Sequence, residues 1–323
     1  MKKRKVLIIK PGYSEILDGK TNSRIVSLGD VLRTTPLLHL YHNEQVTWVT
    51  DPQAFPLLEH NPLIHRLLPF DFLTASQLTA EEFDFVINLE KIPGVCALSD
   101  SVRARKARYG FTFNTQTGEA EPYDRAYDVL AVSANTAAKK QNNRPVQELL
   151  FEMVGAKWNG EELSLGYKPR TAEKFDVALN TQVGRKWPIK AWPNEHWDFL
   201  EKKLVQEGMK VTRQDELKDG IRVNKFTNLE SYMDWIHSAR IIVTNDSLGL
   251  HLGIAMKKDV LGLFGPTLGS EICFYNRGEA IVSDSGCAYM PCFRAKCRLE
   301  ESCMTDITPE RVLEKVKHYN KRN

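Results

Sequence analysis

Residues 240–267, RIIVTNDSLGLHLGIAMKKDVLGLFGPT, restrict what this chain can become more than any other stretch. Ile241, Ile242 and Val243 form a β-branched apolar run of the kind buried on both faces in a parallel sheet. Polar Thr244, Asn245, Asp246 and Ser247 follow, then Gly249 and a short apolar helix through Met256. Val260 to Phe264 give a second strand, closed by Gly265-Pro266-Thr267. The order strand, polar loop, helix, strand is a βαβ unit, with its polar loops at the carboxyl ends of the strands. Open α/β sheets bind ligands at those ends, where a helix N-terminus offers free N–H groups to an anion. Asp246 and Ser247 are also good capping residues. Capping accounts for one polar residue better than for four, so a nucleotide-phosphate site is the favoured expectation.

With 323 residues the chain has room for two domains. An apolar fraction of 42% against 26% charged residues places it among globular proteins rather than disordered ones. A net charge of +3 is too small for a general nucleic-acid binder, and no nucleic-acid partner is expected. The apolar segment Val6–Ile9 behind the basic start MKKRK is too short for a signal peptide, and no run reaches the roughly 18 apolar residues of a membrane span. The expectation is a cytoplasmic protein, with peripheral contact to the inner membrane left open.

Taken in order, Lys5–Lys10 reads as a buried strand, followed by a loop rich in Gly, Ser, Asp and Asn between Gly12 and Val26. Ser27-Leu28-Gly29-Asp30 then leads into an apolar-periodic helix, VLRTTPLLHLY, expected to kink at Pro36. Asp30 is a candidate N-cap or a carboxylate facing the crevice. Val46–Val49, Leu63–Leu68 and Phe83–Leu89 read as further strands. Arg103, Arg105, Lys106 and Arg108 make the densest basic run, either a solvated surface or, with Ser27, a patch for an anionic acceptor or membrane. Gln147–Met153 reads as a helix, and 155–169 loses periodicity as an interdomain linker, giving domains 1–165 and 166–323. In the second half, Phe175–Leu179 is a strand, and Asn194 is the expected N-cap of a helix burying Trp197, Leu200 and Leu204. Lys210–Thr212 is a short strand. Cys287, Cys292, Cys297 and Cys303 have the spacing C-x4-C-x4-C-x5-C, at and beyond the edge of structural zinc patterns. A metal clip, a disulfide and plain thiols stay open, with a structural role favoured. Thr308-Pro309 starts a last helix, expected to cross back toward the first domain.

Three segments carry a resemblance. NDSLGLHLGIAMKKDVLGLFGPT resembles the nucleotide-sugar segment of the ADP-heptose glycosyltransferases of family nine, with Leu248 where that family usually has Gly. SLGDVLRTTPLL is similar to their first loop, S-x-G-D-x-x-x-T-x-P-x-L. The segment at Lys190 to Trp197 is similar to their K-x-W-P-x-x-x-W. The resemblance implies a GT-B fold: α/β, two Rossmann-like domains with parallel sheets facing across a cleft, acceptor in the first and donor in the second. It implies inverting transfer of heptose from ADP-heptose to a glycan or glycolipid such as lipopolysaccharide inner core, without a required cofactor. Asp30 would be the general base. Lys190, with Arg185 and Lys186 as further cations, would meet the diphosphate. Asp246, Ser247, Gly249, His251 and Thr267 would complete the nucleotide-sugar site. The Gly-Gly loop usual after the Lys210 strand is replaced by RQDELKDG, leaving Gln214 as the residue guessed to hold ribose or adenine. The alternatives are an epimerase or hydrolase on the same scaffold, or a sugar-nucleotide-binding protein without transfer.

Overall fold

The computed structural model describes residues 3–13 and 25–322. Of the expected loop 12–26, residues 14–24 lie outside the described residues. Two compact units divide the chain, Met1–Tyr167 and Lys168–Asn323.

The first unit is built on strands β1 (Lys5–Ile9), β2 (Gln45–Thr50), β3 (Arg66–Pro69), β4 (Glu82–Asn88), β5 (Arg103–Phe113) and β6 (Ala120–Pro122). Their order in the sheet is β3-β2-β1-β4-β5-β6. The first five strands run parallel, and β6 pairs antiparallel with β5. Leu7, Ile9, Val49, Phe83, Val86 and Val102 belong to one buried cluster. Strand order reverses between β1 and β4, so the crevice of this unit opens where those two strands end.

The second unit has β7 (Phe175–Asn180), β8 (Val211–Arg213), β11 (Ala239–Asn245), β12 (Asp259–Phe264) and β13 (Gly278–Val282) in the parallel order β13-β12-β11-β7-β8. Its reversal lies between β7 and β11. Trp197, Leu200 and Leu204 of the helix Asn194–Gln206 are fully buried against this sheet, each leucine contributing about 1.5–3 kcal/mol of burial. The final helix, Pro309–Lys321, joins the same core through Val312, Val316 and Tyr319. It therefore packs within the second unit, because its apolar stripe matches the face beside the helix Asn194–Gln206.

Several local expectations also change. VLRTTPLLHLY does not form one kinked helix: an α-helix covers Leu28–Leu32 and a 3-10 helix covers Thr35–Tyr41, with Pro36 at its start. Pro36 has no N–H to continue the α-helix, and its ring is tolerated only at a new helix start. Ser27 precedes the first helix, so Asp30 is not its cap. Pro193, not Asn194, precedes the helix Asn194–Gln206. RQDELKDG supplies β9 (Asp215–Lys218) and the turn into β10 (Ile221–Asn224), which pairs antiparallel with it. Asp219 and Gly220 turn it, both at positive φ (49° and 77°), the geometry that Asp-Gly favours between paired strands.

Candidate functional site

In the second unit, β7 and β11 end in a run of amides and hydroxyls that fix one another. Asn180, the last residue of β7, donates from Nδ2 to Thr244 Oγ1 (2.7 Å) and Ser247 Oγ (2.9 Å). Tyr232 Oη donates to Asn180 Oδ1 at 2.6 Å. Asn245, the last residue of β11, donates to the Thr181 carbonyl at 2.8 Å and accepts from the Trp192 N–H at 3.0 Å. Asn245 thereby ties the loop carrying Lys190 to the end of β11. Trp192, packed edge-on against Trp197 with ring centroids 4.7 Å apart, anchors the far side of that loop.

Lys190 is 7% exposed, and its Nζ lies 2.7 Å from Asp246 Oδ2 and 4.7 Å from the Trp187 ring centroid. Thr267 Oγ1 donates to the same Asp246 oxygen at 2.8 Å. Burial pushes the Asp246 carboxyl up, but Lys190 and Thr267 outweigh it and hold it at about 2. Asp246 thus joins Lys190 from one loop to Thr267 from another. The residue preceding the helix Leu248–Ala255 is Ser247, so the capping reading of Asp246 is replaced by this ion pair. Gly249 lies in that helix's first turn, where a Cβ would meet the Tyr232 hydroxyl at 2.6 Å and the Asn180 amide closer still. Its missing side chain lets the helix sit on the amide network, a close approach only glycine allows. His251 is buried one turn further, near Asp246. Arg185 is exposed and Lys186 partly so. The Gln214 side-chain oxygen accepts from the Gln182 N–H at 3.0 Å, which binds the hairpin to the loop after β7.

In the first unit the same crevice position is charged. Lys10, directly after β1, is buried, with Nζ 2.5 Å from Asp30 Oδ2 and 3.1 Å from Glu90 Oε1. Glu90, just past β4, also accepts from the N–H groups of Gly12 (2.6 Å) and Tyr13 (3.1 Å). Arg33 donates from Nε to Asp30 Oδ1 at 3.0 Å, one turn along the helix. Burial raises the Asp30 pKa, but Lys10 and Arg33 dominate and keep the carboxyl well below the usual range. Asp30 is therefore ionised at any physiological pH and held in one orientation by two cations.

The basic strand turns out differently from a free anion patch. Arg105 lies 3.1 Å from Asp84, Lys106 reaches the same carboxylate at 3.9 Å, and Arg108 donates to the Ser99 carbonyl at 2.5 Å and to that of Val102. Arg105 and Arg108 are engaged by the sheet's own carboxylate and by a helix end; Arg103 and Arg105 are exposed, and Ser27 and Arg108 are partly exposed. The cysteines are free thiols. Cys287, Cys292, Cys297 and Cys303 line one pocket with Ile189, but among the described residues no group of three or more His, Cys, Asp or Glu side chains is placed to hold a metal ion. The metal clip is not supported.

Lys10, Glu90, Asn180 and Tyr232 were not singled out from the sequence. Lys10 and Glu90 carried a signal, since each is the charged residue that ends or follows an apolar strand. Tyr232 lies in a helix and carried none.

The arrangement can be compared with known proteins. Lipooligosaccharide heptosyltransferase 2 of Campylobacter jejuni is 28% identical over 124 residues, which cover 38% of this chain and 39% of that protein. The match thus spans about two fifths of the length of that relative. Among solved structures, a glycosyl transferase family 9 protein from Veillonella parvula matches with a TM-score of 0.68 at 15% identity, covering 100% of this chain and 98% of that one. Heptosyltransferase WaaC of E. coli with ADP-2-deoxy-2-fluoro heptose matches with a TM-score of 0.61 at 16% identity, covering 97% and 99%. At these identities the likeness establishes the fold, which is GT-B. The model of glycosyltransferase family 9 (heptosyltransferase) matches residues 73–302, well over half of the chain, and the chain belongs to that family.

Proposed function

We propose that the protein is an inverting glycosyltransferase that moves heptose from ADP-heptose to a hydroxyl of a glycan acceptor such as lipopolysaccharide inner core. The observation that carries this reading is the buried Lys190–Asp246–Thr267 cluster beside the N-terminus of the helix Leu248–Ala255. A lysine already desolvated and oriented by a carboxylate meets an incoming diphosphate with little reorganisation, and helix N–H groups add partial positive charge. The E. coli relative with a bound ADP-heptose analogue supports the choice of donor.

The steps follow from the residues. The donor diphosphate takes up Lys190 Nζ, Ser247 and the backbone at Gly249, with Thr267 and His251 at its edge, while Asp246 keeps Lys190 in place. The acceptor hydroxyl attacks the anomeric carbon from the face opposite the diphosphate. Its proton passes to Asp30, the bond to the diphosphate breaks, and ADP leaves with its added charge stabilised by Lys190. Asp30 is a weak base while Lys10 and Arg33 hold it. Transfer then depends on proton movement late in bond formation, when the hydroxyl has become acidic. No step requires a metal ion.

Calorimetric titration with ADP-heptose, GDP-mannose and UDP-glucose tests the donor. Selective binding of ADP-heptose, lost in Lys190→Ala, is the expected result. Equal binding of all three, or of none, overturns the donor assignment.

A further inference from the structure

We propose that Cys292 and Cys303 form a thiol–disulfide exchange site, oxidised by a small-molecule disulfide, whose oxidation loosens the hold on the donor diphosphate; the last part rests on the donor reading of the Lys190–Asp246–Thr267 cluster. Cys287, Cys292, Cys297 and Cys303 line one pocket as free thiols. Arg294, Lys296 and Arg298 line it too, and among the described residues no carboxylate does. Thiols in an electropositive, partly exposed pocket are placed to react rather than merely to pack. The pocket also borders the donor cluster at two points. Ile189, on its wall, immediately precedes Lys190. Gly265 lies against Cys303, whose Sγ would be only 2.6 Å from a Cβ there. The Phe293 N–H, one residue from Cys292, donates to the Pro266 carbonyl at 2.9 Å. Cys292 and Cys303 are thereby tied to Gly265-Pro266, which leads directly to Thr267 and its bond to Asp246.

The chemistry is a two-electron exchange in two steps. The Cys292 thiolate attacks one sulfur of the small disulfide, forming a mixed disulfide and expelling a thiolate that takes up the proton Cys292 gave away. Cys303 then loses its proton and attacks the Cys292 sulfur, so that the Cys292–Cys303 bond forms and the second small thiol leaves. The protein dithiol is oxidised, and the small disulfide is reduced to two thiols. Burial, and then the neighbouring thiols with Cys292 first among them, push Cys303 up to about 11, which suits it to the second, intramolecular attack. Closing the bond brings the two Cβ atoms to about 3.5–4.5 Å. Met304 is fully buried in the core of the second unit and anchors the chain at Cys303. The movement therefore falls on residues 292–303 and on Gly265-Pro266. Phe293 already stands at φ 50°, which a bulky residue adopts only where its surroundings impose it. Thr267 shifts with that segment, and the fixed spacing of Asp246 and Lys190 is lost.

The test equilibrates the full chain with reduced or oxidised glutathione, maps disulfides by mass spectrometry after alkylation, and measures ADP affinity and backbone hydrogen exchange of each form. A Cys292–Cys303 disulfide is expected in the oxidised protein, with ADP affinity lower by about fivefold or more and restored by dithiothreitol. Exchange without ligand should be faster in the oxidised form across 186–192 and 265–268. Cys292→Ser and Cys303→Ser, their folding verified by thermal melts, should bind ADP like reduced wild type in either buffer. Cys297→Ser should still form the disulfide. Unreacted thiols, a different cysteine pair, or glutathione adducts alone overturn the proposal. So does a Cys292–Cys303 disulfide that leaves both ADP affinity and hydrogen exchange unchanged. The disulfide with faster exchange, in a protein whose two forms both fail to bind ADP, would keep the exchange site and remove the donor reading instead.

Discussion

At the scale of single residues, the two carboxylates on which the proposed transfer depends are both held by lysines that sequence distance hides. Asp30 meets Lys10 across 20 residues, and Asp246 meets Lys190 across a larger gap and a different loop. The pairing makes a pH prediction. Asp246 lies at about 2 in the fold against an ordinary 3.8, so the folded state binds fewer protons than the unfolded one between these values. Its contribution to stability, on the order of 2 kcal/mol, is present above about pH 4 and is lost as pH falls through about 2. In Lys190→Gln that contribution disappears. Urea midpoints of wild type and variant should differ clearly near pH 6 and draw together as pH falls through about 2. A difference that stays constant over this range would show that the ion pair does not set the Asp246 titration.

Among elements, the decisive packing is the seat of the helix Leu248–Ala255 on the ends of β7 and β11. Gly249 has no side chain where Asn180 and Tyr232 need the space. Gly249→Ala should cost about 1–3 kcal/mol in thermal unfolding and weaken donor binding, because the helix must rise off the amide network. Tyr232→Phe, which removes a hydrogen bond but no volume, should cost only about 1 kcal/mol. A Gly249→Ala variant as stable as wild type would mean that the helix sits more loosely than this packing requires. The strands themselves were legible in the sequence, since β1, β4, β7 and β11 are apolar runs that end at or just before a charged or amide residue, and β12 is an apolar run closed by Gly265-Pro266. Fates of individual polar side chains were less so. Arg105 and Arg108 read as a surface patch because the partners that absorb them, Asp84 and two carbonyls, belong to neighbouring elements. The β9–β10 hairpin had its signal in Asp219-Gly220, an Asp-Gly turn standing where the family usually has a glycine pair.

For the whole molecule, both units repeat one plan: a parallel sheet whose strand order reverses once, with polar side chains gathered at the reversal. The first unit collects ionised groups there, and the second collects amides, hydroxyls and one ion pair. On the proposed function, that division would give proton transfer to the first unit and donor recognition to the second, so the two functions should separate by mutation. Isolated sequence motifs pointed to Asp30 and Lys190, whereas the reversal points that unite them with Glu90 and Asn180 exist only in the folded sheets. The most direct test is turnover of ADP-heptose, with an acceptor or as slow hydrolysis, by wild type and Asp30→Ala, measured beside the affinity of each for ADP-heptose. The account predicts equal affinity and a turnover lower by about 10²–10⁴-fold in Asp30→Ala. Equal turnover in the two proteins would contradict the assignment of Asp30 as the base.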